Sequence, residues 1–464
     1  MRTFCTAALL CALLPALAQI PSPGKTPLKA IVLTGGIAHI GNGEVMDNAA
    51  IGIENGKITF LKQAGTVKLN AQEADIIDIT GQHVYPGFIN PNNTLGLTEI
   101  DAVRATRDFA ETGSFNPEVR AITSFNTDSR ISPTVRSNGV LITQATPRSG
   151  MICGTSSIMY LDGWNWEDAV LKEDDGIHVN WPNRFQNSGW WAEPGQTKPN
   201  EKYDAQVAEL KIFMERAKAY SENPNAEFNQ KLAACKGLFS GTQRIYLHVS
   251  EAKGIMESVL FAEALGLKKP VIVGGVEAWM VVDFLSTKNI PVILERPHSL
   301  PAHDDDHIDQ PFKTAKALYD SKVLFCFDHA GDMEAMGSRN LPFSAGTTVA
   351  YGLPYEEAVR ALTSSAAKIL GIDATNGLLE AGKDATLFVS SGDALDPITN
   401  DVTHAFIQGR VVDLDDPQKY LFRKFSSKEE WPLGACQRRL VVPVSADMRD
   451  QKVAYVRCFH AGFV

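Results

Sequence analysis

Apolar residues recur along this chain with two different periods, and the change from one to the other marks out its organisation. Between Ala30 and Asp78, short apolar runs such as Ala30-Ile31-Val32-Leu33, Ile51-Gly52-Ile53 and Ile58 to Leu61 are separated by glycine and asparagine. These runs predict strands. Glu54-Asn55-Gly56-Lys57 predicts a tight hairpin, because Asn and Gly both tolerate positive φ. A second β-rich block extends from Gly377 to Val412. Each block is too small to bury a core alone, so the two are expected to build one composite β-sandwich.

From residue 86 to 376 the pattern alternates buried-type strands with amphipathic helices. Val140 to Gln144, Ile245 to Val249, Val271 to Val273, Pro291 to Leu294 and Val323 to Phe327 read as strands. Asp204 to Tyr220 reads as a helix with Val207, Leu210, Met214 and Ala217 on one face. Ala252 to Leu265 and Tyr355 to Leu370 read as helices stopped by Gly266 and Gly371, since glycine takes the left-handed conformation cheaply. This alternation and length predict the α/β class, a (β/α)8 TIM-type barrel with insertions. Residues 160–200, rich in Trp, Asn, Pro and Gly, read as one long loop that could serve as a lid or simply as a packed insertion.

The expected boundaries are therefore a signal peptide at 1–18, the β-sandwich at 19–85 and 377–415, the barrel at 86–376, and a tail at 416–464 to which no role is assigned. The signal rests on Arg2, the apolar run Ala7 to Leu17, and the small-x-small site Ala16-Leu17-Ala18 before Gln19. That run is shorter than the roughly 20 apolar residues of a spanning helix. The expectation is an exported protein, periplasmic or extracellular, without a stable membrane anchor after cleavage; an uncleaved anchor is the rival.

Composition narrows the partners more than the fold. A chain of 464 residues with 44% hydrophobic and 21% charged residues is an ordinary globular protein. Its net charge of -10 provides no basic field for a phosphate backbone, so nucleic acid is not an expected partner. A small-molecule substrate is, and oligomerisation stays open. Five cysteines (Cys153, Cys235, Cys326, Cys436 and Cys458) follow the signal with no C-x-x-C spacing, which argues for buried free thiols over a disulfide framework or thiolate zinc. Cys436 and Cys458 could pair in an oxidising compartment.

Pro86-Gly87-Phe88-Ile89-Asn90-Pro91-Asn92-Asn93-Thr94-Leu95-Gly96 carries the most specific signal. It resembles the first barrel strand of the amidohydrolase superfamily, written PGFID-x-H-x-H-LG, whose two histidines hold a divalent cation. Asn92 and Thr94 stand at those histidine positions, and Asn90 replaces the acid. An amide can offer its carbonyl oxygen to a hard cation, but it has neither charge nor imidazole nitrogen. Val271 to Trp279, Ala361 to Ile372 and Gly377-Leu378-Leu379-Glu380-Ala381-Gly382-Lys383-Asp384-Ala385 extend the resemblance, particularly to imidazolonepropionase-like and dihydroorotase-like members, over roughly residues 30–415.

By that resemblance His248 is the metal-binding histidine of strand five. Asp328 is the strand-eight aspartate that binds metal and takes a proton from water. The strand-six histidine falls at Gly274 or Gly275, which offers no ligand. Two ligands are fewer than the three plus water of a catalytic zinc site, so the resemblance leaves either a zinc-like divalent metal or no cofactor. Without it, His248 reads equally as a hydrogen-bonded strand-end histidine, whereas Asp328 follows the apolar run Val323 to Phe327 and asks for a pocket role. The cluster His298 to Asp309, with His303, Asp304 and His307, reads either as a substitute metal loop or as a solvated acidic loop. His329 is a further candidate, although neighbours on an extended chain point oppositely. No G-x-S-x-G elbow and no phosphate loop stands out. The resemblance implies a hydrolase of non-peptide C–N bonds in a small amide, cyclic or open-chain; the alternative is an inactive relative that binds a small molecule or a protein partner.

Overall fold

In the computed structural model, residues 23–68, 70–189, 193 and 195–429 are described. The signal segment 1–18, Trp190, Trp191, Cys436 and Cys458 lie outside the described residues. Among those described, no helix is long and apolar enough to cross a membrane.

The two β-rich blocks form a single eight-stranded sheet. Its path runs Arg410–Val411, Val402–Ile407, Leu387–Ser390, His83–Pro86, Ala30–His39, Val45–Glu54 and Lys57–Gln63, with Ala74–Asp78 pairing beside Ala30–His39. The seam between chain ends is antiparallel, Leu387 facing Pro86 and Ser390 facing His83. Ile31, Leu33, Ile51, Ile58, Leu387 and Phe406 bury a shared core inside it. Neither block encloses these residues without the other. Asn55 and Gly56 take φ of 50° and 79°, as the hairpin requires.

The intervening chain forms the barrel sheet, whose strands in order are Phe88–Asn93, Val140–Ala145, Ile152–Tyr160, Val170–Asn180, Arg244–Val249, Pro270–Gly274, Val292–Leu294 and Phe325–Phe327. The (β/α)8 barrel and composite β-sandwich are thus the fold of this chain. The third barrel strand departs from the ideal, pairing antiparallel with both neighbours. Among the described residues no backbone ladder joins the first and last strands. That seam is bridged by side chains: Asn92 Nδ2 donates to Asp328 Oδ2 at 2.7 Å and Asn93 Nδ2 to the His329 carbonyl at 3.1 Å.

Three expectations need correction. Residues 160–200 are not one loop, because Val170–Asn180 is the fourth barrel strand. Lys172, Glu173, Asp174 and Asp175 disguise it in sequence; Arg120 neutralises Glu173 and Asp174 at 2.9 and 2.8 Å, and Asp175 turns into the barrel. The strand expected from Val323 begins only at Phe325. The helix expected over 355–370 is two, Tyr355–Leu362 and Ser364–Leu370, broken at Thr363 where φ is -125° and ψ -94°. Cys153, Cys235 and Cys326 are buried free thiols, as expected.

Gly139 opens the second barrel strand at φ +86°, and a Cβ there would lie 2.5 Å from the Phe388 ring. That ring stacks on Tyr85 at 5.3 Å and meets Phe88 edge-on at 4.8 Å, so it has no room to retreat. Gly139→Ala should cost about 2–5 kcal/mol by adding left-handed strain to overpacking. Denaturant unfolding checks this, and a loss under about 1 kcal/mol would refute the packing argument. From Pro417 onward the chain forms a separate unit whose described part is the helix Pro417–Glu429.

Candidate active site

A cavity of about 610 Å³ opens at the carboxyl ends of the barrel strands, lined by Asn92, Arg148, His248, Glu295, Asp328 and Glu334 among others. This is where barrel strands end and loops can hold unlike side chains together. His248 and Asp328, the two residues singled out by sequence, share it.

The ladder between the first two barrel strands breaks between Asn90 and Asn93, and Asn92 sits at φ 50°. An asparagine tolerates that conformation better than most residues, and the break turns its side chain into the cavity. There its amide is oriented without ambiguity. Arg148 Nη1 can only donate, and it donates to Asn92 Oδ1, so the amide nitrogen faces Asp328. Arg148 also donates Nη2–H to the Asn92 carbonyl at 2.6 Å and forks onto Glu334 at 3.0 and 2.9 Å. Four of its five N–H groups are thereby committed, leaving one on Nη1.

Asp328 is fully buried. Burial pushes its carboxyl up to about 8, with Glu295 adding repulsion, while hydrogen bonds from Asn92 and from the Ala330 N–H, and the Arg148 charge, pull the other way. Burial also raises Glu295, against the pull of Arg296. Burial, with the Arg148 charge, holds His248 down at about 3, so its ring is neutral. His248 Nε2 lies 2.8 Å from His178 Nδ1, and His178 Nε2 lies 2.9 Å from Ser156 Oγ. The cavity thus combines an acid that ionises near neutral pH, a neutral imidazole and a fixed guanidinium.

These residues do not fit the resemblance's metal cage. Asn92 spends its oxygen on Arg148, and His248 and Asp328 alone are fewer than the three protein ligands of a catalytic zinc. Gly274 backs the position of a missing strand-six ligand. Among the described residues no group of three His, Cys, Asp or Glu side chains is arranged to hold a metal ion. The Arg148 charge stands instead beside the former ligand position. Dialysis against EDTA, followed by zinc or manganese, is expected to leave the melting temperature unchanged; a rise of several degrees on adding metal would contradict this reading.

The cluster from His298 to Asp309 is not brought to the cavity. His303 bonds Glu277 at 2.7 Å with its side chain 54% exposed, and His307 faces Asp309 at 3.6 Å. It is a solvated loop. His298 instead bonds Thr347 at 2.8 Å. His329 is buried beside Asp328, with burial holding it down at about 4 and its Nδ1 without a partner among the described residues.

Sequence reasoning missed Arg148, Glu295, Glu334 and His178. Glu295 follows Val292–Leu294, so the rule that picked out Asp328, an acid just past an apolar strand, would have found it. Arg148 lies on the loop after the second barrel strand and Glu334 opens the short helix Glu334–Gly337, far away in sequence, and only the folded barrel pairs them.

Residues 195–412 match the family model described as the amidohydrolase family. No curated protein matches the chain in sequence. Among solved structures, an amidohydrolase from Thermotoga maritima MSB8 is 21% identical with a TM-score of 0.70, the match covering 82% of this chain and 99% of that one. A Xaa-Pro dipeptidase with bound methionine is 14% identical at a TM-score of 0.51, covering 83% and 100%. Molinate hydrolase is 12% identical at 0.51, covering 84% and 95%. At such identities the structures speak for the fold alone; residues 195–412 belong to the amidohydrolase family by sequence, and the fold, the PGFI strand and the Gly377–Ala385 turn agree with that family across the rest of the barrel and β-sandwich.

Proposed function

We propose that this cavity hydrolyses a non-peptide C–N bond in a small amide, with Asp328 as the proton carrier and Arg148 as the electrophile. A carbonyl oxygen facing the remaining Arg148 Nη1–H would be polarised as a metal would polarise it. Water, losing a proton to the ionised Asp328, forms the new C–O bond while the carbonyl π pair moves to oxygen. Collapse of that oxyanion breaks the C–N bond, and Asp328 returns the proton to the leaving nitrogen. The observation that carries the reading is the bond from Asn92 to Asp328, which ties an acid ionising at about 8 to the Arg148 guanidinium through one side chain.

The test is turnover of a panel of a lactam, a hydantoin, a Xaa-Pro dipeptide and molinate by the purified mature protein. Hydrolysis of a lactam or hydantoin supports the proposal, and none across the panel defeats it. Silence with measurable binding would favour the second reading, a relative that binds small molecules without turning them over. That reading draws on Arg148 having most of its donors already spent. We also propose export: a mature protein beginning at Gln19 is expected from the Ala16-Leu17-Ala18 site, and mass spectrometry finding Met1 retained would refute it.

A further inference from the structure

A chain of buried polar groups runs from the cavity into the barrel interior, and each of its hydrogen atoms can be assigned. It starts from a backbone amide, which can only donate: Asn92 N–H donates to Gln144 Oε1 at 2.9 Å. That fixes the Gln144 amide. Its nitrogen must face inward, where it donates to Asp175 Oδ2 at 2.9 Å and to Ser156 Oγ at 3.2 Å. Asp175, wholly buried, also accepts from Tyr246 OH at 2.6 Å and from Ser156 Oγ at 2.7 Å. Burial raises the Asp175 carboxyl, while the Tyr246 and Ser156 hydrogen bonds and the charges of Lys172 and Arg244 pull the other way; with three donors converging on its two oxygens, it acts here as the acceptor.

Ser156 has one hydrogen, which the 2.7 Å contact with the accepting Asp175 oxygen claims; among the described residues the Gly176 carbonyl at 3.2 Å is the other acceptor within reach besides the His178 ring. Given to either, it leaves Ser156 Oγ as an acceptor toward His178 Nε2 at 2.9 Å. A neutral imidazole carries one N–H, so a donating His178 Nε2 leaves Nδ1 bare. That bare nitrogen, 2.8 Å from His248 Nε2, requires His248 to carry its hydrogen on Nε2. His248 Nδ1 is then a lone pair. It has no protein partner among the described residues and belongs to a ring that lines the cavity. Tyr246 stacks on His178 at 4.4 Å and 15°, clamping the ring in this orientation. The close stack exists because residue 176 is glycine: a Cβ there would lie 2.5 Å from the Tyr246 ring.

We infer that Asp175, Ser156 and His178 are positioning residues that fix His248 as its Nε2–H tautomer, so that the cavity presents a bare Nδ1 acceptor selecting ligands with an N–H or O–H donor beside the carbonyl. This extends the proposed hydrolase reading, in which that donor is the N–H of a secondary amide or the attacking water, but the tautomer itself stands on geometry alone. A ligand fully substituted at nitrogen would leave the acceptor unmatched.

The test is nitrogen NMR of the full mature protein labelled at histidine with nitrogen-15, with His178 and His248 assigned from His178→Asn and His248→Asn variants. In the wild type His248 is expected to show a protonated Nε2 and a bare Nδ1, and His178 the same pattern. Ser156→Ala should remove the director and yield mixed tautomers, with kcat falling about 10- to 100-fold and KM unchanged. Asp175→Asn offers an N–H to Ser156, turns the hydroxyl toward His178 and inverts both rings. A wild-type His248 protonated at Nδ1 overturns the inference without any variant having to fold. A correct tautomer with no turnover on the panel would instead sink the hydrolase reading and leave this one standing.

Discussion

Asp328→Asn should lower kcat by about 10³-fold, within the range that positioned proton transfer supplies, while leaving KM within about threefold. The amide keeps the shape and can still accept from Asn92 Nδ2, so the cavity survives while the proton carrier is lost. The wild type should show the matching pH profile. With Asp328 ionising at about 8, only about a tenth of the carboxyl is charged at pH 7, so turnover should climb about tenfold between pH 7 and 9. Stability runs the other way. A carboxyl whose folded value lies above its unfolded one favours the folded state when protonated, so the wild type loses stability as pH rises from the ordinary carboxylate range toward 8. Asp328→Asn should not share that slope. Steady-state kinetics and melting curves across this pH range check both halves. A variant within tenfold of the wild type would remove Asp328 from the reaction.

Glu334→Ala should destabilise the fold by about 3 kcal/mol, the largest loss expected of any single polar truncation here. Glu334 is 9% exposed and takes two hydrogen bonds from Arg148, which is itself only 20% exposed. Removing the acid strips two of four hydrogen bonds from a guanidinium that stays charged and mostly buried. The cost is that of the orphaned charge, so Arg148→Met combined with Glu334→Leu should recover most of it while activity stays lost. Equal stability of the single and double variants would show that Arg148 is solvated in some other way. Denaturant unfolding of both decides it.

How far sequence reasoning reached follows from the kind of signal each element left. The strand at Ile245 to Val249 was legible because its apolar run ends in a single polar residue, and Asp328 for the same reason. The strand Val170–Asn180 was not, because its four successive charged residues erase the apolar run; they are compensated by Arg120 and by interior hydroxyls far away in sequence. Strand Ile152–Tyr160 carries Gly, Thr and two serines, and is buried at every position. Its polar side chains find partners in Pro117, Asp174 and Asp175, which no local pattern announces.

The chain's own sequence therefore determined the barrel, the composite β-sandwich and the loss of the histidines at Asn92 and Thr94, since periodicity and turn chemistry are local properties written in adjacent residues. Only the tertiary structure decided what replaced them. The pairing of Arg148 with Glu334, the bond from Asn92 to Asp328 and the line from Asp175 to His248 each join groups on different elements of the chain. Their protonation and orientation come from burial and from the single donor or acceptor each neighbour can offer, and those constraints exist only once the strands lie side by side.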